Sequence, residues 1–402
     1  MKLQAQSSRL LAEVLQKASK AISTKNSLAI LDNVLLVRHA DGAFFFVAAT
    51  SSSQLTLPAP LTIFDGNLDS PIALPVKTIL PFISSLPDCT LTFDFDGSNK
   101  SVSLSYCTES GGQVKEGKAN FAYFDGKDFP ISPDLMEDKT CITLPFPFFS
   151  KVLDNSAPFT AKDIIRPQMN CICIDVAEDL SDVAFVASDG HGLIKTNYTN
   201  NPATGGGDFF RGGQPGRMLL PQLYFRAVSV FDGCEEIGIE CDKHSLRFVS
   251  GEMEYICKTC EAKYPNYGSV IPRGNPYYVV FNKREMLETI KRVSLFGDKS
   301  SKLLVLEKNG MFLDVSSRDV DFSTSAADQV LVSNAECLDG FRIGVNSSYL
   351  SAALSAIDAP DIRMQFSDER HQMLFTADIP APSVLTMCMP MVIDDQPITN
   401  KI

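Results

Sequence analysis

One plan is written three times in this chain, at a period of about 130 residues, which is too long for a solenoid and about right for a domain. Each copy opens on an amphipathic helical pattern: Leu10, Leu11, Val14, Leu15 and Ala18 in the first, Phe148, Phe149, Val152 and Leu153 in the second, Met286, Leu287, Ile290 and Val293 in the third. Apolar residues at i, i+3, i+4 and i+7 lay one stripe along a helix, and that stripe has to be buried. Two alternating stretches with a turn between them follow in every copy, over 33–38 and 43–48, 169–176 and 183–187, and 303–307 and 311–315. Alternation of period two reads as a pair of strands joined by a hairpin.

A second helix is expected to start at Leu74-Pro75-Val76-Lys77, at Leu220-Pro221-Gln222-Leu223 and at Val345-Asn346-Ser347-Ser348, where proline at the first turn and asparagine as cap are start signals. Each then gives way to another strand pair, over 90–95 and 101–106, 236–240 and 245–249, 361–366 and 372–376. The expectation is an α+β chain of three repeated domains, each with two helices packed on antiparallel sheets. Their spans are 1–138, 139–268 and 269–402, with boundaries in the polar stretch ending at Asp138 and in Tyr264-Pro265-Asn266-Tyr267-Gly268. A fixed rotation between equivalent neighbours makes an arc, and a symmetric partner can close an arc; two such arcs would make a six-part ring.

Composition removes several other classes. With 45% hydrophobic and 21% charged residues the chain can build cores, unlike a disordered one. The longest apolar stretch, 43–49, is far short of the ~18 residues of a membrane span. Met1-Lys2-Leu3-Gln4-Ala5-Gln6 turns polar at once, without the apolar run of a secretory signal, so the cytoplasm is the expected compartment. Eleven scattered cysteines, an odd number, fit reduced thiols better than a disulfide framework. Cys257-Lys258-Thr259-Cys260 has the spacing of a metal or redox pair, but no second pair or paired histidines follow, and the alternation through it reads as strand. The glycine-rich loop around 200–216 lacks the spacing of a phosphate-binding loop. No cofactor is expected.

The formal charge of −12 argues against a protein that holds nucleic acid by overall positive charge. Basic residues are nevertheless concentrated on two of the opening helices. Arg9, Lys17, Lys20 and Lys25 face a single acidic residue, Glu13, over 7–25, and Lys283, Arg284, Lys291, Arg292, Lys299 and Lys302 outnumber Glu285, Glu288 and Asp298 over 281–302. Such segments are either solvated helix faces or local contacts for phosphates.

Four strings sharpen the reading: Ala187-Ser188-Asp189-Gly190-His191 after a strand, Lys263-Tyr264-Pro265-Asn266-Tyr267 followed by Val270-Ile271-Pro272, Lys291-Arg292-Val293-Ser294-Leu295-Phe296, and Met389-Pro390-Met391. With the threefold plan, and in this order, they make the chain resemble the bacterial DNA sliding clamp, the β subunit of the DNA polymerase III holoenzyme, over residues 1 to about 393. The resemblance implies a head-to-tail homodimeric ring with helices lining the hole and sheets outside. Such a ring encircles double-stranded DNA without sequence preference and tethers the polymerase III α subunit. It is loaded by a clamp loader complex and shared with other polymerases, ligase and mismatch-repair proteins. No catalytic residue and no metal site is implied.

Carried over position by position, the partner-peptide cleft comprises Arg166, Met169, Ser188, Gly190, His191, Leu193, Pro265, Val270, Met387, Cys388, Met389, Pro390 and Met391. Flexible methionines and aliphatic side chains suit a surface that repacks around different short peptides. The dimer contact implied is Phe121 and Tyr123 against Leu295 and Phe296. Lys25 stands where the family commonly has a basic residue facing DNA, and Arg9, Lys17 and Lys20 join it on charge.

The chain also departs from the family pattern. Thr50-Ser51-Ser52-Ser53-Gln54 replaces an acidic string, Gly192 and Val392 stand where arginine is common, and Asp394–Ile402 runs past the usual end, able to cover the cleft in part or to stay free of it. Two other classes compete with the clamp reading: a metal-dependent hydrolase using Asp189, His191 and the cysteine pair, and a clamp-like scaffold that is not loaded on DNA.

Overall fold

The computed structural model describes residues 1–23, 26, 28–68, 70–110, 113–131, 139–163, 165–199 and 209–393. The expected boundary at Asp138, Lys25, most of the glycine-rich loop and the tail from Asp394 lie outside them. The chain divides into two compact units, one of residues 1–150, 209–214 and 223–259, the other of 151–208, 215–222 and 260–402.

Among the described residues six α-helices recur at the expected places: α1 (Ser8–Ala21), α2 (Val76–Ser84), α3 (Phe146–Ser156), α4 (Phe225–Val228), α5 (Lys283–Val293) and α6 (Ser347–Ser355). Ser7 caps α1 by accepting from the Leu10 amide, Asn282 caps α5 through the Glu285 amide, and Asn346 caps α6 through the amides of Ser348 and Tyr349. In α1 the buried stripe is Leu11, Leu15, Ala18 and Ala21, while Leu10 stays 55% exposed. The second helix of the middle copy is shorter than expected. Pro221 ends a strand, and one α-turn, α4, is flanked by 3-10 turns over Gln222–Tyr224 and Ser229–Phe231. Met169, expected in a strand, sits in a 3-10 turn over Pro167–Asn170, and the strand begins at Cys171.

Every sheet is antiparallel, and the two large ones each continue from one copy into the next. In the first unit a ten-stranded sheet crosses at Ser53–Pro58, the fourth strand of copy one, which pairs with Met253–Lys258, the last strand of copy two. In the second unit a twelve-stranded sheet crosses in the same way, Gly192–Thr199 of copy two pairing with Val384–Cys388 of copy three. Contact between copies is therefore made of backbone hydrogen bonds as well as side chains.

The strands that would make a third seam of this kind are unpaired on one side. Gln113–Ala122, the last long strand of copy one, followed only by the two-residue strand Phe124–Asp125, is the edge of a five-stranded sheet and among the described residues bonds only Ser101–Ser110. Thr324–Glu336, the fourth strand of copy three, pairs with Phe312–Asp319 over its first half and with Tyr277–Asn282 over its last residues. The first half thus keeps one free edge among the described residues. Exposed edges of this length are templates for another chain.

Candidate functional site

All thirteen residues expected for the partner cleft fall in the second unit, where the ends of three strands meet. The strand Asp182–Ser188 stops at a tight turn that the sequence dictates. Asp189 Oδ1 accepts the amides of His191 (2.9 Å) and Gly192 (3.0 Å), and Ser188 Oγ donates to the Gly192 carbonyl at 2.8 Å while accepting from the Gly190 amide. Gly190 has φ +94°, which a side chain would strain. Arg166 lies beside this turn, its Nη1 3.7 Å from where a Cβ on Gly190 would stand, and its Nε is 3.3 Å from Asp163 Oδ2.

The chain then returns along Gly192–Thr199, opposite Val384–Cys388. Leu193 pairs with Met387, and the Met389 amide donates to the His191 carbonyl at 2.8 Å, so the turn and the C-terminal strand form one surface. Beneath it Leu193, Met387, Cys171, Cys173, Val186, Leu219 and Tyr264 share a buried apolar cluster. Met169 is buried and tied to Ala161 through its carbonyl, Cys388 is buried, and Met389 is 40% exposed. Pro265 and Val270 are exposed on a segment whose far end is held by Gln372 Nε2, 2.7 Å from the Val270 carbonyl. The Met391 amide bonds the carbonyl of Gly344 on the edge strand Arg342–Asn346 at 2.9 Å, which ties the end of the C-terminal segment to that strand.

Two aromatics missed by sequence reasoning stand over the turn. A Cβ on Gly192 would be 2.9 Å from Phe159 and 3.0 Å from Tyr349, so glycine is needed for space, not conformation. The Tyr349 hydroxyl donates to Asp189 Oδ2, its ring lies against His191 with centroids 6.2 Å apart, and burial together with Asp189 pushes its phenol well above the usual range. The signal was present as the glycine where arginine is common, but what fills the space comes from α6, far along the chain.

This geometry also accounts for Asp189 and His191 without catalysis. The carboxylate is occupied by two amides and a phenol, and among the described residues no three His, Cys, Asp or Glu side chains could hold a metal. Of the cysteine pair, Cys257 is wholly buried with its thiol pushed up by desolvation, and Cys260 lies past the end of its strand, packed on the cluster beneath the cleft.

The other expected contacts divide between the units. In the first, Phe121 is half-buried on the edge strand Gln113–Ala122, opposite Val102, and Tyr123 packs edge-on against Phe95 with centroids 5.9 Å apart. In the second, Leu295 and Phe296 stand 67% and 48% exposed on the turn that ends α5, and Thr324 Oγ1 donates to the Phe296 carbonyl at 3.0 Å. That bond fixes the free-edged strand beside them. Val320 and Phe322, just before the same strand, are also exposed and extend the apolar surface beyond what the sequence suggested.

The basic helices carry less free charge than their sequences imply. On α1, Arg9 lies 3.3 Å from Glu13 and Lys20 donates to Ser229 Oγ at 3.1 Å. On α5, Arg284 pairs with Glu288 at 2.9 Å and Arg292 with Asp328 at 2.6 Å. These pairs are largely exposed, so they exchange readily with water or an incoming anion.

Residues 268–392 match the family described as the C-terminal domain of the DNA polymerase III beta subunit. The Beta sliding clamp of Synechocystis sp. is 24% identical over 381 residues, covering 91% of this chain and 93% of that protein. That of Pseudomonas aeruginosa is 22% identical, covering 90% and 93%. Among solved structures, the DNA polymerase sliding clamp from Bacillus subtilis superposes with a TM-score of 0.84 at 17% identity, covering 98% of this chain and 100% of that one. The DNA polymerase III subunit beta from Pseudomonas aeruginosa gives 0.83 at 19%, with the same coverage. The repeated plan, the shared sheets and these likenesses lead to one conclusion: the chain has the fold of the bacterial β sliding clamps and is similar to them over about nine-tenths of its length, and its residues 268–392 match the C-terminal domain of the DNA polymerase III beta subunit.

Proposed function

We propose that two copies of this chain close head to tail into a ring that encircles duplex DNA, slides along it and holds the replicative polymerase at the primer end. The observation that carries this reading is the open third seam. Copies one and two, and copies two and three, are joined by pairing the fourth strand of one with the last strand of the next. The strands that would repeat that joint, Thr324–Glu336 and Gln113–Ala122, each retain a free edge. A second chain supplies the missing partner at both ends, and a two-fold axis makes the two joints identical. Leu295, Phe296, Val320 and Phe322 would pack against Phe121 and Tyr123 there, with the aromatics as anchors.

Sliding needs weak, sequence-blind contact with phosphates. A chain of net charge −12 whose basic helices are partly neutralised by Glu13, Glu288 and Asp328 suits that task, since tight electrostatic binding would stall movement. Arg9, Lys17, Lys20 and Lys25 of the first domain are assigned to the DNA side. The surface formed by Leu193, Met387, Met389 and Val270 is assigned to short peptides of the polymerase α subunit, the clamp loader and other replication and repair proteins. Apolar anchors worth ~1.5–3 kcal/mol each leave binding exchangeable. Domains of 1–138, 139–268 and 269–402 remain the proposed division, and the cytoplasm the proposed compartment.

The test is retention on nicked plasmid, circular against linear, after incubation with the clamp loader and ATP. Retention on circles with loss from linear ends supports topological linkage. Equal retention on both means ordinary binding and refutes the ring. None on either, with an active loader, leaves a scaffold that is not loaded.

A further inference from the structure

Pro265 and Val270 sit on a segment, 263–271, whose only regular element is one 3-10 turn, Tyr267–Ser269. Its position is set from outside. Asp175 and Arg217 are register partners on adjacent strands, and Arg217 Nε donates to Asp175 Oδ2 at 2.9 Å. The Tyr267 hydroxyl donates to the same oxygen at 2.8 Å. The Arg217 guanidinium stands 5.3 Å from the centre of the Tyr267 ring and the Lys195 ammonium 5.8 Å from it, both within reach of a cation–π contact. Arg217 Nη1 also reaches the Tyr264 carbonyl at 3.5 Å, immediately before Pro265. One aromatic in a segment without strand partners is thus bonded to one strand and flanked by cations from two others.

We propose that Asp175, Arg217 and Tyr267 are positioning residues for the partner cleft, holding the Pro265–Val270 lip at the height that a bound peptide requires. The inference rests on the reading of that cleft as a peptide site. Asp175 and Arg217 lie on strands that the cleft assignment did not include, so their effect on affinity would run through the lip. Pre-ordering a lip lowers the conformational cost of binding, and releasing it lowers affinity without removing a contact. The carboxylate is little exposed, at 19%. Burial and the bond to Asp175 push the Tyr267 phenol well above its ordinary range, so the hydroxyl stays a donor at any physiological pH.

The experiment measures binding of a fluorescein-labelled peptide from the cognate polymerase α subunit to the full chain by anisotropy. Tyr267→Phe removes one charge-assisted hydrogen bond and should weaken binding about tenfold, while leaving the sedimentation coefficient and the melting temperature close to the parent's. Asp175→Asn, which keeps an acceptor but loses its charge, should weaken binding in the same direction by less. In a Val270→Ala background the effect of Tyr267→Phe should largely vanish, because the cluster acts through that lip. A merely structural role would lower the melting temperature and leave the cycle additive. Parent protein that binds the peptide, with Tyr267→Phe and Asp175→Asn binding equally well, overturns the positioning role. Parent protein that fails to bind overturns the cleft reading itself, and the inference with it.

Discussion

Replacing Leu295 and Phe296 together by aspartate should convert the proposed dimer into monomers. These side chains are 67% and 48% exposed in the single chain. Full burial of a leucine or phenylalanine is worth about 1.5–3 kcal/mol, so the fractions still exposed can contribute roughly 2–3 kcal/mol together when a partner covers them. A two-fold ring contains the contact twice, which doubles the loss to about 4–6 kcal/mol, a thousandfold to ten-thousandfold in the dimer dissociation constant. Two unpaired carboxylates in a buried contact add to that penalty. Because neither side chain belongs to the chain's own core, the melting temperature of the monomer should hardly move. Sedimentation velocity across a concentration series reads the outcome. A variant that remains dimeric at the parent's concentrations refutes the placement of this turn in the interface.

Three further predictions follow from the geometry. Met389→Ala with Met391→Ala should weaken peptide binding several-fold while the sedimentation coefficient is unchanged; equal affinity by anisotropy would remove these residues from the site. Gly192→Arg, which brings in the residue common in the family, must push Phe159 and Tyr349 aside from contacts of 2.9 and 3.0 Å. Overpacking of this kind costs about 1–3 kcal/mol, so the melting temperature should fall, and an unchanged one would contradict the packing described. Glu240 in the first unit is partly desolvated, which raises its pKa, but Lys139 at 2.7 Å and Arg247 at 3.1 Å outweigh that and hold the carboxyl below its usual 4.5. A depressed folded-state pKa contributes stability above the unfolded value and loses it as pH falls through the folded one. Glu240→Gln should therefore be less stable than the parent at neutral pH, with the gap narrowing in thermal melts as pH falls below the unfolded value and through the depressed folded one; a gap independent of pH would mean that the ion pairs contribute nothing.

Much of the fold was legible because it depends on local periodicity. The caps Asn282 and Asn346, the stripes on α1 and α5, and the alternation of Glu236–Cys241 and Asp361–Phe366 each satisfy backbone and burial demands within a few residues. Repetition multiplied those weak signals by three. Errors came where the local pattern had more than one solution. Leu10 fits the helical stripe of α1 yet lies off its buried face, and the helix expected after Pro221 breaks into turns because only one α-turn intervenes before Ser229–Phe231. In the candidate site the turn around Asp189 could be read from Ser-Asp-Gly, since its hydrogen bonds span three residues.

What the sequence by itself determined, then, is the set of elements, their threefold order, the net acidic charge with basic helices, and the strings that make the chain resemble the sliding clamps. Those properties follow from neighbours along the chain, where spacing dictates which groups can meet. Tertiary structure alone decided that the copies share continuous sheets, that Gln113–Ala122 and the first half of Thr324–Glu336 keep open edges among the described residues, that Tyr349 and Phe159 close over Gly192, and that Asp175, Arg217 and Tyr267 meet beside the candidate site. Strand register and aromatic packing join residues separated by tens to hundreds of positions. No local pattern encodes which of many compatible partners wins, because that choice is made by the collective burial and hydrogen bonding of the assembled sheets.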